Sequence, residues 1–278
     1  MVTGPSPSFG AVMTLLDEIL QQKQLEVEAL KARLKRTGST TVMRPINKER
    51  SIERTVLDCR AAGRLCVIPE LKKADPWRGV IREAYDGIGE ARDLEAAGAT
   101  ALAIQTDSRY FRGRHEDLLA ISRRTDLPVL MCDFVVDEAQ LSDGKAKGAD
   151  AIAIIVSLLP REAVSRLVEF AGMIQLEVLL EVADEAEMEF ALDQGVPLIG
   201  IQNRDLPTQT IQVERTLQLR SMVPSQDRVT IVMGGITEPA DLQPFRDGGF
   251  DAAVVGEYLM RAPNLGDAFQ ELQAVGTP

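Results

Sequence analysis

Residues 98–105 read GATALAIQ, and the same design returns three times along the chain, as GADAIAIIV from Gly148, GVPLIGIQ from Gly195 and GFDAAVVGE from Gly249. In each copy a glycine closes a helix-like segment and a short β-rich run follows. Glycine suits the left-handed backbone that stops a helix. The runs are continuously apolar rather than alternating, as strands covered on both faces are. Four more runs fit the same role: LCVIPEL at 65–71, VLMCDF at 129–134, LEVLLEV at 176–182 and VTIVMGG at 229–235. Eight candidate parallel strands with helical spacers predict an α/β fold, a (βα)8 TIM barrel. A doubly wound open sheet is the alternative, but no GxGxxG opens a first unit.

Upstream, residues 9–36 carry Val12, Leu15, Leu16, Ile19, Leu20, Val27, Leu30 and Leu34 at helical spacing, which predicts a helix. A polar connector, Thr37–Asn47, follows it. The expected organisation is one barrel domain over residues 1–278, with 1–48 a helical N-terminal extension and 49–278 the barrel.

Composition narrows the function. Hydrophobic residues make up 45% and aromatics 4%, so the core is aliphatic, as α/β packing prefers. A net charge of −11 argues against a nucleic-acid or anionic-membrane surface but leaves room for a local phosphate pocket. No run approaches the 18 or so uninterrupted apolar residues of a membrane span, and MVTGPSPSFG lacks a signal pattern. Cys59, Cys66 and Cys132 are widely spaced without a CxxC, which suggests reduced thiols and a cytoplasmic protein. The single histidine, His115, sits in the charged segment RGRHEDL and is expected on the surface. Neither a metal ligand set nor a cofactor motif is evident. The expected partner is a small phosphorylated substrate, with the chain a monomer or small homo-oligomer.

In a barrel, polar residues at strand C-termini converge on one mouth. The first run ends in Glu70 and Lys72, two apart and so on one side of a strand. A carboxylate beside an ammonium can move protons or hold a phosphate, or can be a structural ion pair. Other strand ends supply Cys132, Asp133, Glu181, Gln202, Asn203, Arg204, Met233, Gly234, Gly235, Gly256 and Glu257. Two acids, a lysine and an arginine suit an anionic substrate and proton transfer. Glycines after the last two strands expose backbone N–H groups where this architecture commonly grips phosphate, and a side chain at Gly235 or Gly256 would block an oxyanion's approach. Cys132 is open to two readings, a nucleophile or a small buried filler.

The segments PELKKADPWRG, TDSRYFRGRHEDL, DFVVDEAQL, LEVLLEV, LIGIQNRDL and VVGEYLMR, in this order, resemble indole-3-glycerol phosphate synthases over almost the whole chain. That family closes a carboxyphenylamino deoxyribulose phosphate into an indole, losing CO2 and water without a cofactor. The resemblance implies catalytic-site roles for Glu70, Lys72 and Glu181, and places Arg204 near the substrate's anionic groups. It implies a phosphate site at Gly234, Gly235, Gly256 and Glu257. The chain departs from the family pattern at defined positions. LRKDF, whose lysine is the general acid for ring closure, reads LMCDF with Cys132 in the lysine's place. INxRDL reads IQNRDL with Gln202 for the asparagine, and ESGI reads MGGI with Met233 and Gly234. SPS in the first loop reads DPW, with Asp75 and Trp77. A neutral thiol cannot replace an ammonium near pH 7. Three readings follow: a divergent enzyme with altered acid–base chemistry on a phosphorylated sugar amine, a working indole-3-glycerol phosphate synthase, or a non-catalytic phosphosugar-binding homologue.

Overall fold

The structure is a computed structural model that describes residues 14–37, 50–205, 207–224 and 228–277. Ten strands are present among the described residues: β1 Cys66–Leu71, β2 Ala74–Asp75, β3 Gly79–Val80, β4 Leu102–Gln105, β5 Val129–Cys132, β6 Ala151–Ile155, β7 Glu177–Val182, β8 Leu198–Gln202, β9 Val229–Met233 and β10 Ala252–Val255. Eight close a parallel barrel in the order β1, β4, β5, β6, β7, β8, β9, β10 and back to β1. β2 and β3 form a small antiparallel hairpin in the loop after β1. The expected TIM barrel is the fold.

The strands' period of two divides the core into two layers. Leu102 and Ile104 face outward into the shell beneath the helices. Ala101 and Ala103 belong to the interior cluster with Ile68, Leu130, Ala153 and Leu179. Both faces are buried, which is why the strands read as unbroken apolar runs. Small alanines inside suit an eight-stranded barrel, whose interior is just wide enough for side chains to fill.

Among the described residues, two helices precede β1. α1, Leu15–Thr37, accounts for the predicted N-terminal helix; residues 9–13 and the connector from residue 38 to Asn47 lie outside the described residues. Its Ile19 packs with Phe111, Phe134 and Leu158, which follow β4, β5 and β6. α1 therefore lies against the loops at the strands' C-terminal ends. α2, Ile52–Ala61, was not signalled by the sequence. Its buried stripe is only Ile52, Val56 and Cys59, too short to stand out, and it joins the interior cluster at the N-terminal side of the strands. Glu177 Oε2 accepts from the N–H of Ile52 at 2.9 Å and of Glu53 at 3.2 Å, holding the helix start in place. Just before it, Arg50 donates to the carbonyls of Ser122 and Leu127 at 3.2 Å and of Gly148 at 3.2 Å. One end of the barrel is thus sealed by α2.

Candidate active site

At the other end, each of the eight barrel strands delivers a side chain to one cavity. β1 presents Glu70, and Lys72 follows just beyond its last residue, its Nζ 2.8 Å from Glu70 Oε2. On the neighbouring β4, Gln105 donates through Nε2 to Glu70 Oε1 at 3.0 Å. The carboxylate is thus held from both sides. Burial pulls the Lys72 ammonium down, but the charge and hydrogen bond of Glu70 outweigh it and leave its pKa raised. Lys72 is therefore cationic at neutral pH.

Glu181, on β7, is 7% exposed. The Gln202 side-chain amide, from β8, donates to its Oε1. Burial, then the nearby charge of Glu70, pushes the Glu181 carboxyl up to about 7. One site therefore holds a charged carboxylate–ammonium pair and a second carboxyl able to gain or lose a proton near neutrality, which suits general acid–base work.

Cys132 ends β5 and is 5% exposed. Burial, then the charges of Glu70 and Glu181, raises its thiol well above the ordinary value. Met233 ends β9 opposite Gln202 in register and is likewise buried. Asp133, next to Cys132, turns out of the cavity's chemistry. Its Oδ1 lies 2.7 Å from the Nζ of Lys23 on α1, and Oδ2 accepts from the Thr106 hydroxyl at 2.6 Å.

The loops form the outer part of the cavity. Asp75 Oδ1 accepts from the backbone N–H of Trp77 at 3.0 Å and of Arg78 at 3.3 Å, fixing the hairpin turn. Arg78 Nε lies 3.2 Å from Glu257 Oε1, and Arg204 Nη2 lies 3.6 Å from Glu257 Oε2. Arg204 also donates to the Gln209 carbonyl at 2.9 Å. Asn203 is scaffold: fully buried, it donates to the Gly234 carbonyl at 3.4 Å and accepts from Thr216 at 3.2 Å.

Of the sequence-proposed strand-end residues, Asn203 alone stays outside the cavity. Glu70, Lys72, Asp75, Trp77, Cys132 and Glu181 line the same cavity as Gln202, Arg204, Met233, Gly234, Gly235, Gly256 and Glu257. One expectation changes. His115 is not an open surface residue: its side chain is 28% exposed, and its nitrogens lie 3.6 Å from Asp133 and 3.4 Å from Asp143. The glycines at 235 and 256 are also required by their neighbours. A Cβ at Gly256 would strike the Glu70 carboxylate and lie 2.8 Å from Lys72 Cε, and one at Gly235 would lie 2.5 Å from Asn203 Nδ2. A larger residue at Gly256 therefore disturbs the Glu70–Lys72 pair directly and does not isolate a phosphate contact.

Sequence reasoning passed over Gln105, Arg78 and Lys23. Gln105 closes the GATALAIQ run and obeys the same strand-end rule as the others; Arg78 follows Trp77 directly. Lys23 had a signal too. It stands midway between Ile19 and Val27 at four-residue spacing, on the stripe that α1 buries.

A closed parallel barrel with an acid–base cluster at the C-terminal ends of its strands is the arrangement of a TIM-barrel enzyme. The sequence profile of indole-3-glycerol phosphate synthase matches residues 16–272. The indole-3-glycerol phosphate synthase of Aromatoleum aromaticum is 37% identical over 268 residues, covering 93% of this chain and 98% of that protein. That of Acetivibrio thermocellus is 33% identical over 270 residues, covering 94% and 100%. The chain belongs to the indole-3-glycerol phosphate synthase family. Among solved structures, a tryptophan synthase alpha chain from Legionella pneumophila superposes with a TM-score of 0.62 at 15% identity, covering 81% of this chain and 96% of that one. A 3-hexulose-6-phosphate synthase gives 0.60 at 13%, covering 76% and 99%. At such identities these last two speak for the fold alone.

Proposed function

We propose that this chain is a divergent enzyme of its family, acting on a phosphorylated sugar amine or related phosphosugar by acid–base, ring-closing lyase-type chemistry. Glu70 and Lys72 act as a coupled carboxylate–ammonium pair, and Glu181 takes up and releases a proton. Arg204 and the backbone at Gly234, Gly235 and Gly256 receive the anionic end, with Trp77 and Asp75 shaping the loop above it. Cys132 serves as a neutral wall. The observation that carries this reading is the 2.8 Å Lys72–Glu70 pair in one cavity with a carboxyl that titrates near 7. Such a pairing of unlike proton affinities is what acid–base catalysis requires. The thiol at Cys132, held neutral by burial, supports a loss of the family's ordinary chemistry, since one positioned acid is worth about 10²–10⁴ in rate.

A second reading is a working indole-3-glycerol phosphate synthase. The retained, charged Lys72 favours it, because that ammonium would supply the missing acid. A turnover assay with the carboxyphenylamino deoxyribulose phosphate, beside calorimetric titration with a ribulose-phosphate analogue, separates the readings. Binding with ring closure more than tenfold below an ordinary family member is expected. Ring closure at the ordinary rate would replace the first reading by the second. Binding without turnover of any phosphosugar amine would leave a binding protein, and no binding would end both enzymatic readings.

A further inference from the structure

The cavity has two unlike layers. Its outer layer, on the loops, holds Arg78, Arg204 and Glu257. Its inner layer is set by the last residues of the strands. There Cys132, Ala153, Met233 and Val254 are buried apolar wall. Among the described residues the charged groups of this layer are Glu70, Lys72, Glu181 and Asp133, and the carboxylate of Asp133 is met by Lys23 at 2.7 Å. Lys72 is already committed to Glu70 at 2.8 Å. Cys132 adds no cation, and its thiol is held neutral by burial and by the two carboxylates. The inner layer thus carries a formal charge between zero and −1, according to the proton on Glu181. It also offers an unused acceptor. Gln105, paired in register with Cys132, spends its Nε2 on Glu70, and its Oε1 is buried with no hydrogen-bond partner among the described groups.

A carboxylate brought into this layer would face two carboxyl groups and an amide oxygen, with no uncommitted cation among the described residues to pair it. Burying a charge without a partner is heavily penalised. An uncharged ring would lie on the apolar wall without that penalty, and an N–H or O–H beside it would satisfy Gln105. From this asymmetry we infer that the ligand's end remote from its phosphate is an uncharged aryl or similarly flat apolar group, carrying a hydrogen-bond donor and no carboxylate. The inference rests on the reading that the outer layer receives a sugar phosphate, and it adds the identity of the other end.

Three probes test it on the full chain by calorimetric titration. They are ribitol 5-phosphate, its 1-deoxy-1-phenylamino derivative and the ortho-carboxylated form of that derivative. All are reduced sugars and none can cyclise. The phenylamino probe is expected to bind at least tenfold more tightly than the carboxylated one. In Cys132→Lys, which sets a cation on the inner wall, the ratio should shrink or invert. Equal or tighter binding of the carboxylated probe to the parent protein overturns the inference, whatever becomes of the variant's folding. Binding of ribitol 5-phosphate with no gain from the phenyl group also overturns it, while sparing the phosphosugar reading. Binding of none of the three removes both.

Discussion

Glu181 keeps its proton up to about pH 7 because burial strips its carboxylate of water and Glu70 adds a like charge. In the unfolded chain it releases that proton near 4.5. Between those values the unfolded state binds fewer protons than the folded one, so stability falls as pH rises through this window and levels off above it. At about 1.36 kcal/mol per pKa unit the loss is on the order of 3 kcal/mol. In Glu181→Gln this component is absent. Urea unfolding of both proteins from pH 4.5 to 8 should show the parent losing stability relative to the variant up to about pH 7, then running parallel to it. A difference that does not change with pH would show that Glu181 ionises as it does in water. At Gly234 the constraint is the backbone, with φ at +71°; a Cβ there would lie 3.8 Å from Gln202 Oε1, an ordinary contact. A serine at this position has room but costs about 1–2 kcal/mol of strain. Restoring the family pattern is therefore cleaner at Cys132, Gln202 and Met233 alone.

The helix α1 is fastened to the barrel by a buried side chain. Lys23 is 2% exposed, and its Nζ lies 2.7 Å from both Asp107 Oδ2 and Asp133 Oδ1. The neighbour of Asp133 is Cys132, and Thr106, which donates to Asp133, adjoins Gln105, so the fastening reaches the strand ends that hold Glu70. Lys23→Met would leave two buried carboxylates without their cation, at about 3–5 kcal/mol. Chemical unfolding at pH 7 should register that loss, and Asp107→Asn in the same chain should return part of it. A loss below about 1 kcal/mol would mean that the cluster is hydrated and α1 is held by Ile19 and Val27. Elements differ in how legible they were. All eight barrel strands stood out, because burial on both faces makes each an apolar run. The runs of β1, β4, β7 and β8 end where the strands end, but others overrun: VLMCDF predicts a strand to Phe134, whereas β5 ends at Cys132 and Asp133 turns away to Lys23. α2 and the β2–β3 hairpin are too short for periodicity to register. Lys23 was hidden because a lone lysine on a helix ordinarily faces water, and its partners lie far along the chain, at Asp107 and Asp133.

Across the whole molecule, scaffold and site have separate determinants. The two-layered core, the seal at α2 and the closed strand order follow from apolar pattern, and the family's sequence profile spans residues 16–272. Convergence of the candidate side chains on one cavity was legible for the same reason, since a barrel's strand ends have nowhere else to meet. What the residues do there was less legible. Sequence supplies a carboxylate's identity, but the proton affinity of Glu181 and the commitment of Lys72 to Glu70 depend on burial and on distances of a few ångströms. The proposed divergence lies in the inner layer of the cavity, at Cys132, Gln202 and Met233. The most direct measurement is the rate of indole-glycerol phosphate formation, followed by indole fluorescence, in the parent and in Cys132→Lys/Gln202→Asn/Met233→Glu. The triple variant should be at least tenfold faster than the parent; a folded triple variant no faster than the parent would show that these three residues do not set the chemistry.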